Sequence, residues 1–460
     1  MRIGLIAMSG VRCQDAELLE MGLTLPGFVE RSKTIASLPS LGLLTLAGLT
    51  PDRHEVSYHE VNEAGDAEAV PAGLDLAAIS SFTAQMPEAY AVADRLRADG
   101  VRVVIGGLHA TALPDETLRH ADCVVVGEAE AVWPTLLGDA EAGRLRPRYD
   151  GDGRFDLAES PMPRFSLLDM DRYNRITVQT SRGCPLKCEF CASSILLTKR
   201  YKQKPADRVL AEVDEIKRHW RRPFLEFADD NSFVNRAYWL DLLPRLAERR
   251  VKWFTECDLR VHRDEELLDA MRAAGCAEVL IGLESPLAGD LAGLELKTDW
   301  KRRRWGEYRD AVANIQGRGI RVNGCFILGL DGQTPAVFDA VAEFAEETGL
   351  FDVQVTVQTP FPGTPLDDRL RKAGRLLYDG LDDERHWARA TLFDVNFEPD
   401  GMTAAELRAG LHGLVRRLYG EEATRRRREG FRAGVRSRGP VAKPHRPSPR
   451  ENAAGGAGVT

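Results

Sequence analysis

Eleven short apolar runs, separated by stretches of helical periodicity, constrain this chain more than any other feature. The first five lie at 2–8, 55–61, 76–82, 102–108 and 123–129, and several are apolar almost throughout. A strand apolar at every position is buried on both faces, and strand–helix alternation places such strands in a parallel sheet. Helix signals fall between them. The stretch 86–100 ends at Gly100, a suitable residue just past a helix, and 37–51 carries Pro39 just inside a start and Pro51 just past an end. Residues 1–140 therefore read as a doubly wound α/β domain. Residues 141–175 mix Gly, Pro, Arg and Asp without a period and read as a linker. From 176 the alternation resumes at longer spacing, with runs at 176–181, 223–230, 252–259, 278–285, 321–330 and 352–363. Asp207 is the expected N-cap of the first intervening helix, and Gly275 and Gly349 end later ones. Five βα repeats and a sixth strand predict a partial parallel (β/α)6 barrel over 176–363, whose chemistry gathers at the C-terminal ends of the strands. Residues 364–435 read as mostly helical, and 436–460 as a disordered basic tail.

No apolar run approaches the length of a membrane span, and the N-terminus reads as a buried strand where a signal peptide would need a longer apolar region. The expectation is a cytoplasmic protein with no membrane span. Ten Lys or Arg and one Glu between 425 and 450 sit within a chain of net charge −8. They read as a helix end running into a solvated tail, with no nucleic-acid partner.

Eight cysteines in a cytoplasmic chain point to metal or redox chemistry before disulfides. Cys184, Cys188 and Cys191 lie within "TSRGCPLKCEFCASS", directly after the first barrel strand. Such spacing holds zinc or an iron–sulfur cluster. A structural zinc site needs a fourth ligand, and His219, Cys257 and Cys276 all fall on later elements. Four irons held by three thiolates leave one iron open to a small molecule.

The motif "CPLKCEFC" resembles the C-x-x-x-C-x-aromatic-C signature of the radical S-adenosylmethionine (radical SAM; AdoMet) superfamily, with Phe190 in the aromatic place. The resemblance implies that Cys184, Cys188 and Cys191 bind a [4Fe–4S] cluster. It implies that AdoMet chelates the open iron and is cleaved to a 5′-deoxyadenosyl radical. It further implies AdoMet contacts from Asp229 and Asp230 in "FADDN", Glu284 and Ser285 in "GLES", and Ile327 and Gly329 in "FILGLDG". An external electron donor such as flavodoxin or ferredoxin follows from the same chemistry.

A doubly wound domain before such a barrel resembles the cobalamin-binding subfamily, on "SSFTAQ", "GGLHAT" and "GEAE". In this Rossmann-like domain Ser81 and Thr83 would donate hydrogen bonds. Gly106 and Gly107 would make room for the nucleotide tail of cobalamin, with His109 close to it. The usual histidine ligand to cobalt after the first strand is absent from "SGVRCQDAELLE". The subfamily implies a methyltransferase that moves a methyl from methylcobalamin to an unactivated carbon or phosphorus of a small-molecule substrate, after hydrogen abstraction by the 5′-deoxyadenosyl radical. Ring contraction or oxidative cyclisation without methyl transfer is the alternative enzyme, and a cobalamin sensor or carrier the non-enzymatic one. Aromatic residues at 253, 254, 308, 361 and 387 and the thiols of Cys257 and Cys325 read first as core.

Overall fold

In the computed structural model, residues 1–9, 13–21, 38–198, 200–378 and 383–437 are described. The expected tail lies outside them from residue 438 onward. The first sheet has strands β1 (Arg2–Met8), β2 (Glu55–Val61), β3 (Leu76–Ser80), β4 (Arg102–Gly106), β5 (Cys123–Val126) and β6 (Arg148–Asp150). All pairings are parallel, in the order β2-β1-β3-β4-β5-β6. Chain direction across the sheet reverses between β1 and β3, the crevice where such sheets bind ligands. Each face buries its own apolar cluster. Ile6, Ile79, Val103 and Val124 point to one, and Leu5, Ala78, Val104 and Trp133 to the other. The apolar runs of the sequence are therefore two-faced core strands.

Two local expectations need correction. Strand β6 lies inside the stretch read as linker. It was missed because only Tyr149 of Arg-Tyr-Asp is buried. The helix Ala206–His219 is entered through Pro205, and Asp207 sits in its first turn, where a carboxylate complements the helix dipole.

The second sheet is built from β7 (Ile176–Val178), then β10 (Phe224–Ser232), β11 (Lys252–Cys257), β12 (Cys276–Glu284), β13 (Arg321–Leu328) and β14 (Asp352–Val357). It runs β14-β13-β12-β11-β10-β7, all parallel, with no pairing between its first and last members. A short antiparallel pair, β8 (Ser181–Arg182) and β9 (Lys202–Gln203), brackets the cysteine loop. Residues Leu225, Phe227, Trp253, Val279, Val322 and Val353 face the helices and are fully buried. Alternate positions turn inward, and the lumen they make is polar: Asp230, Glu256, Glu284 and Gln354 all line it.

Three helices, Pro365–Lys372, Ala404–Tyr419 and Glu421–Ser437, follow the barrel. The segment between the first two reaches back to the first domain, where Trp387 Nε1 donates to Glu116 at 3.1 Å. The last helix brings Arg427, 6% exposed, and Arg428 to the floor of the barrel beside Asp352. Part of the basic C-terminal charge is thus used to close the barrel.

Candidate active site

The loop between β8 and β9 carries all three cysteines of the motif. Two adjacent carboxylates at the end of β10 hold it. Asp229, wholly buried, accepts hydrogen bonds from Thr180 N (2.7 Å), Ser181 N (2.9 Å), Ser232 Oγ (2.9 Å) and the Thr180 hydroxyl. Asp230 accepts from Gly183 N (2.5 Å) and from the Ser193 hydroxyl, one residue on each side of the cysteines. Gly183 is required here: its φ is +92°, and a Cβ would lie 2.8 Å from Thr198. On its other side the loop pairs with 294–296. Glu189 N donates to Leu294 O (2.9 Å), and Leu296 N to Lys187 O (3.1 Å). Arg369 closes the far end with two bonds to the Glu189 carboxylate, at 2.6 and 3.1 Å.

Cys184, Cys188 and Cys191 line one cavity of about 330 Å³ at the C-terminal mouth of the barrel, together with Phe190, Asp230, Glu284, Lys301 and Ile327. Burial raises all three thiols above the usual range. The donors around them suit a thiolate-bound cluster. Asn231 Nδ2 points at Cys184 Sγ (3.6 Å), and the Lys301 ammonium acts on Cys188. Lys301 is itself buried. It bonds Glu284 Oε1 at 2.6 Å and Gly282 O at 3.0 Å, and that pairing outweighs desolvation to keep it charged. Glu284 takes φ +62°, a strained position for a non-glycine residue, which places its carboxylate on the cavity. Deeper in the lumen, Glu256 has free carboxylate surface on the cavity yet lies inside the barrel. Desolvation, then Glu226 and Asp230, push it up to about 7.

A second cavity, of about 340 Å³, runs from the C-terminal edge of the first sheet to the cysteine loop. Gly42, Ala78, Ser80, Gly106, Gly107 and Gly127 form its small-residue side. Gln179, Arg182, Ser193, Leu197, Ala228 and Asp230 close it from the barrel. Asp230 lines both cavities, so the two are neighbours there. Arg182 spans the domains, bonding Glu128 Oε1 and Glu130 Oε1, each at 2.7 Å, while Lys202 reaches Glu128 at 2.7 and 2.5 Å. A cleft bounded by small side chains over the C-terminal ends of β3, β4 and β5 fits the nucleotide end of cobalamin.

The structure gathers the three cysteines, Phe190, Asp230, Glu284 and Ile327 on one lining, and Gly106 and Gly107 on the other. It does not bring Asp229, Ser285, Gly329, Ser81, Thr83 or His109 to either. Ser285 Oγ is bonded to Asp290 at 2.5 Å. Gly329, at φ +87°, faces Leu407 and Phe397 of the C-terminal region. Ser81 Oγ turns to Phe82 O, and Thr83 is buried. His109, 1% exposed, bonds Glu116 through Nε2 (3.0 Å) and packs edge-on against Trp387. Cys257, Cys325 and Phe361 line the cysteine cavity, whereas Trp253 is core. The reading of the motifs missed Lys301, Asn231, Ser193 and Arg182. Three of the four lie inside the quoted stretches "TSRGCPLKCEFCASS" and "FADDN", and Lys301 is hidden in the basic run "KTDWKRRRW".

Comparison with known proteins agrees with this arrangement. The Radical SAM superfamily profile matches residues 178–345, and a B12 binding domain profile matches 33–137. The bacteriochlorophyllide d C-12(1)-methyltransferase of Chlorobaculum tepidum is 27% identical over 406 residues, 86% of this chain and 85% of that protein. An uncharacterized methyltransferase of Synechocystis sp. is 30% identical over 348 residues, covering 74% of this chain and 64% of that protein's length. Among solved structures, the radical S-adenosylmethionine methyltransferase TsrM of Kitasatospora setae, with cobalamin and a [4Fe–4S] cluster bound, superposes with a TM-score of 0.66. The match is 16% identical and covers 95% of this chain and 99% of that one. With a three-cysteine loop at the mouth of a parallel barrel and a small-residue cleft facing it, this chain joins a B12-binding domain to a radical SAM domain.

Proposed function

We propose that this protein is a cobalamin-dependent radical SAM methyltransferase that methylates an unactivated carbon or phosphorus of a small molecule, with its electron supplied by a small redox protein. One observation carries the reading: the cysteine-lined cavity and the small-residue cleft of the first domain lie on either side of the cysteine loop and share Asp230 in their linings. When bound, the cluster supplies the electron that splits AdoMet, and cobalamin supplies the methyl group. The chain's own residues set the geometry. Cys184, Cys188 and Cys191 would hold the cluster, and Asp229 and Asp230 hold the loop that presents them. Lys301 and Glu284 offer paired charges to a zwitterionic ligand. The Asn231 amide directed at Cys184 would tune the cluster, because hydrogen bonds to its sulfurs set its potential. Glu256, near 7 in the lumen, can take or return a proton at neutral pH. Arg182, tied to Glu128 and Glu130, keeps the two cavities in register.

The test uses anaerobically reconstituted enzyme with a reductant, AdoMet carrying a deuterated methyl group, and extracts of candidate small molecules. Expected products are 5′-deoxyadenosine, S-adenosylhomocysteine and a product three deuterons heavier at the new methyl group. Cys184→Ala should abolish all three. AdoMet cleavage that leaves no deuterium in product would replace this reading with ring chemistry. Normal cleavage by the variant would refute the site.

A further inference from the structure

The excursion between β12 and the helix Tyr308–Gly317 is unlike the rest of the surface. It carries three of the six large apolar side chains that stand exposed among the described residues: Leu287 (38%), Leu296 (48%) and Trp305 (41%). It also carries the run Lys297 to Arg304, in which Lys297, Arg302 and Arg303 are exposed. Arg302 has only Asp299, at 3.6 Å, and no acidic partner is found for Lys297 or Arg303 among the described residues. Arg260, Arg263 and Arg304 gather around Trp300 in an adjoining cleft of about 250 Å³, Arg260 paired with Asp258 and the other two sharing Glu307. Of two acids buried nearby, Asp290 is bonded by Ser285, and Glu295 accepts from Lys301 N through Oε1.

This surface lies over the cysteine loop. Cys188 pairs across a single β-bridge with Glu295, flanked by the Glu189–Leu294 and Lys187–Leu296 hydrogen bonds. Residues 294–296, which carry the exposed Leu296 and lead into Lys297, are therefore one strand spacing from a cluster ligand, about 5 Å between backbones. The opposite flank of the loop, Ser193 to Leu197, faces the cleft of the first domain. An electron arriving over 287–305 would thus enter from the side away from cobalamin.

We infer that the face formed by Leu287, Leu296, Trp305, Lys297, Arg302 and Arg303 docks an acidic one-electron donor protein of the flavin or iron–sulfur type. The inference rests on the radical AdoMet reading above. The donor loses one electron and the cluster gains it, with no bond made or broken at the interface. An exposed apolar centre with a cationic rim suits a transient complex steered by opposite charge, because rim charges set the association rate and its salt dependence.

The test titrates holoenzyme with reduced flavodoxin as probe, reading the dissociation constant and the rate of flavin oxidation at 50 and 500 mM salt. K297E/R302E/R303E should weaken binding at least tenfold at low salt, and the gap should close at high salt, where screening shortens to a few ångströms. K297Q/R302Q/R303Q should fall between, which separates lost attraction from misfolding. Dithionite-driven AdoMet cleavage should match wild type in both variants. Equal affinity in wild type and variants, or a wild-type affinity insensitive to salt, overturns the docking face. If dithionite fails to drive cleavage in wild type, the reading of the site falls, while the titration still decides the surface.

Discussion

Replacing Arg182 with Met removes one of two cations, with Lys202, that bond Glu128 across the domains. Its side chain is 16% exposed, and its partners Glu128 and Glu130 are 1% and 9% exposed. Glu128 keeps Lys202, but Glu130 loses its ion partner. In the native protein desolvation pulls the Glu130 carboxyl up. Arg182 pulls it down by more, so it stays below the usual carboxylate range. Breaking a buried pair costs about 3–5 kcal/mol, because one charge is left behind. Protonation sets a ceiling on that cost. A carboxyl of ordinary value 4.5 can be neutralised at pH 7 for about 3.4 kcal/mol, at about 1.36 kcal/mol per unit. The penalty should therefore be about 3 kcal/mol at pH 7 and fall to about half that at pH 5.5. The contribution of Glu130 to wild-type stability should not change over this range, so the penalty is read as the difference between variant and wild type at each pH. A depressed carboxyl contributes its full stability above its unfolded value and loses it only as pH falls through the folded one. The assay is thermal unfolding of R182M, E130Q and the double variant at both pH values, with cofactor loading matched by absorbance. R182M should unfold several degrees lower at pH 7, and E130Q should recover part of the loss. A penalty that does not shrink at pH 5.5, or strict additivity in the double variant, would refute an electrostatic latch.

Asp229→Asn keeps an oxygen on Thr180 N and Ser181 N but turns its N–H groups toward the Thr180 and Ser232 hydroxyls, which must reverse from donor to acceptor; losing the charged acceptor should cost about 1–3 kcal/mol, and iron and sulfide per chain should drop with the loosened loop. Gly329→Ala meets Leu407 at 2.9 Å and Phe397 at 3.0 Å and should cost about 2–4 kcal/mol by thermal unfolding. Gly332→Ala, at φ +82° in open space, should lose only the backbone part of that, about 1 kcal/mol. Glu278, fully buried, is raised to about 8 by desolvation despite Arg321. A raised carboxyl loses stability as pH climbs from its unfolded value toward the folded one, so the melting temperature of wild type should fall from pH 6 to 9 and that of Glu278→Gln should stay flatter.

The layout of this protein was legible because period and spacing act at the scale of whole strands. Five runs before residue 130 became five parallel strands, and six after 175 became the barrel. What spacing could not settle was which neighbour faces the lumen. Asp229 and Asp230 are adjacent on a strand, so their side chains must diverge, and only one can line a cavity. Ser285 lies just past the end of β12, where the positive φ of Glu284 turns the chain and Ser285 bonds Asp290. Gly329 lies beyond the end of β13, where its positive φ turns the chain outward. His109 was singled out for its place in sequence, but the short helix Leu108–Ala112 carries its ring to Glu116. Lys301 was illegible because a buried lysine inside a basic run looks like any solvated one until Glu284 is seen beside it.

The cysteine loop must serve three directions at once, and its anchors show how it can. Its thiols face the barrel lumen, its Ser193–Leu197 flank faces the first domain's cleft, and its Lys187–Glu189 flank faces the basic surface. A loop tethered only at its ends would blur all three distances together, because motion toward one face is motion away from another. Here each flank has its own restraint: Asp230 on Ser193 and Gly183, the backbone bridges to 294–296 on Lys187 and Glu189, and Arg369 on the Glu189 carboxylate. These restraints share no side-chain partner. Loosening one should therefore disturb one direction before the others, so that Arg369→Ala impairs reduction by a protein donor at cofactor contents that Asp230→Ala cannot sustain.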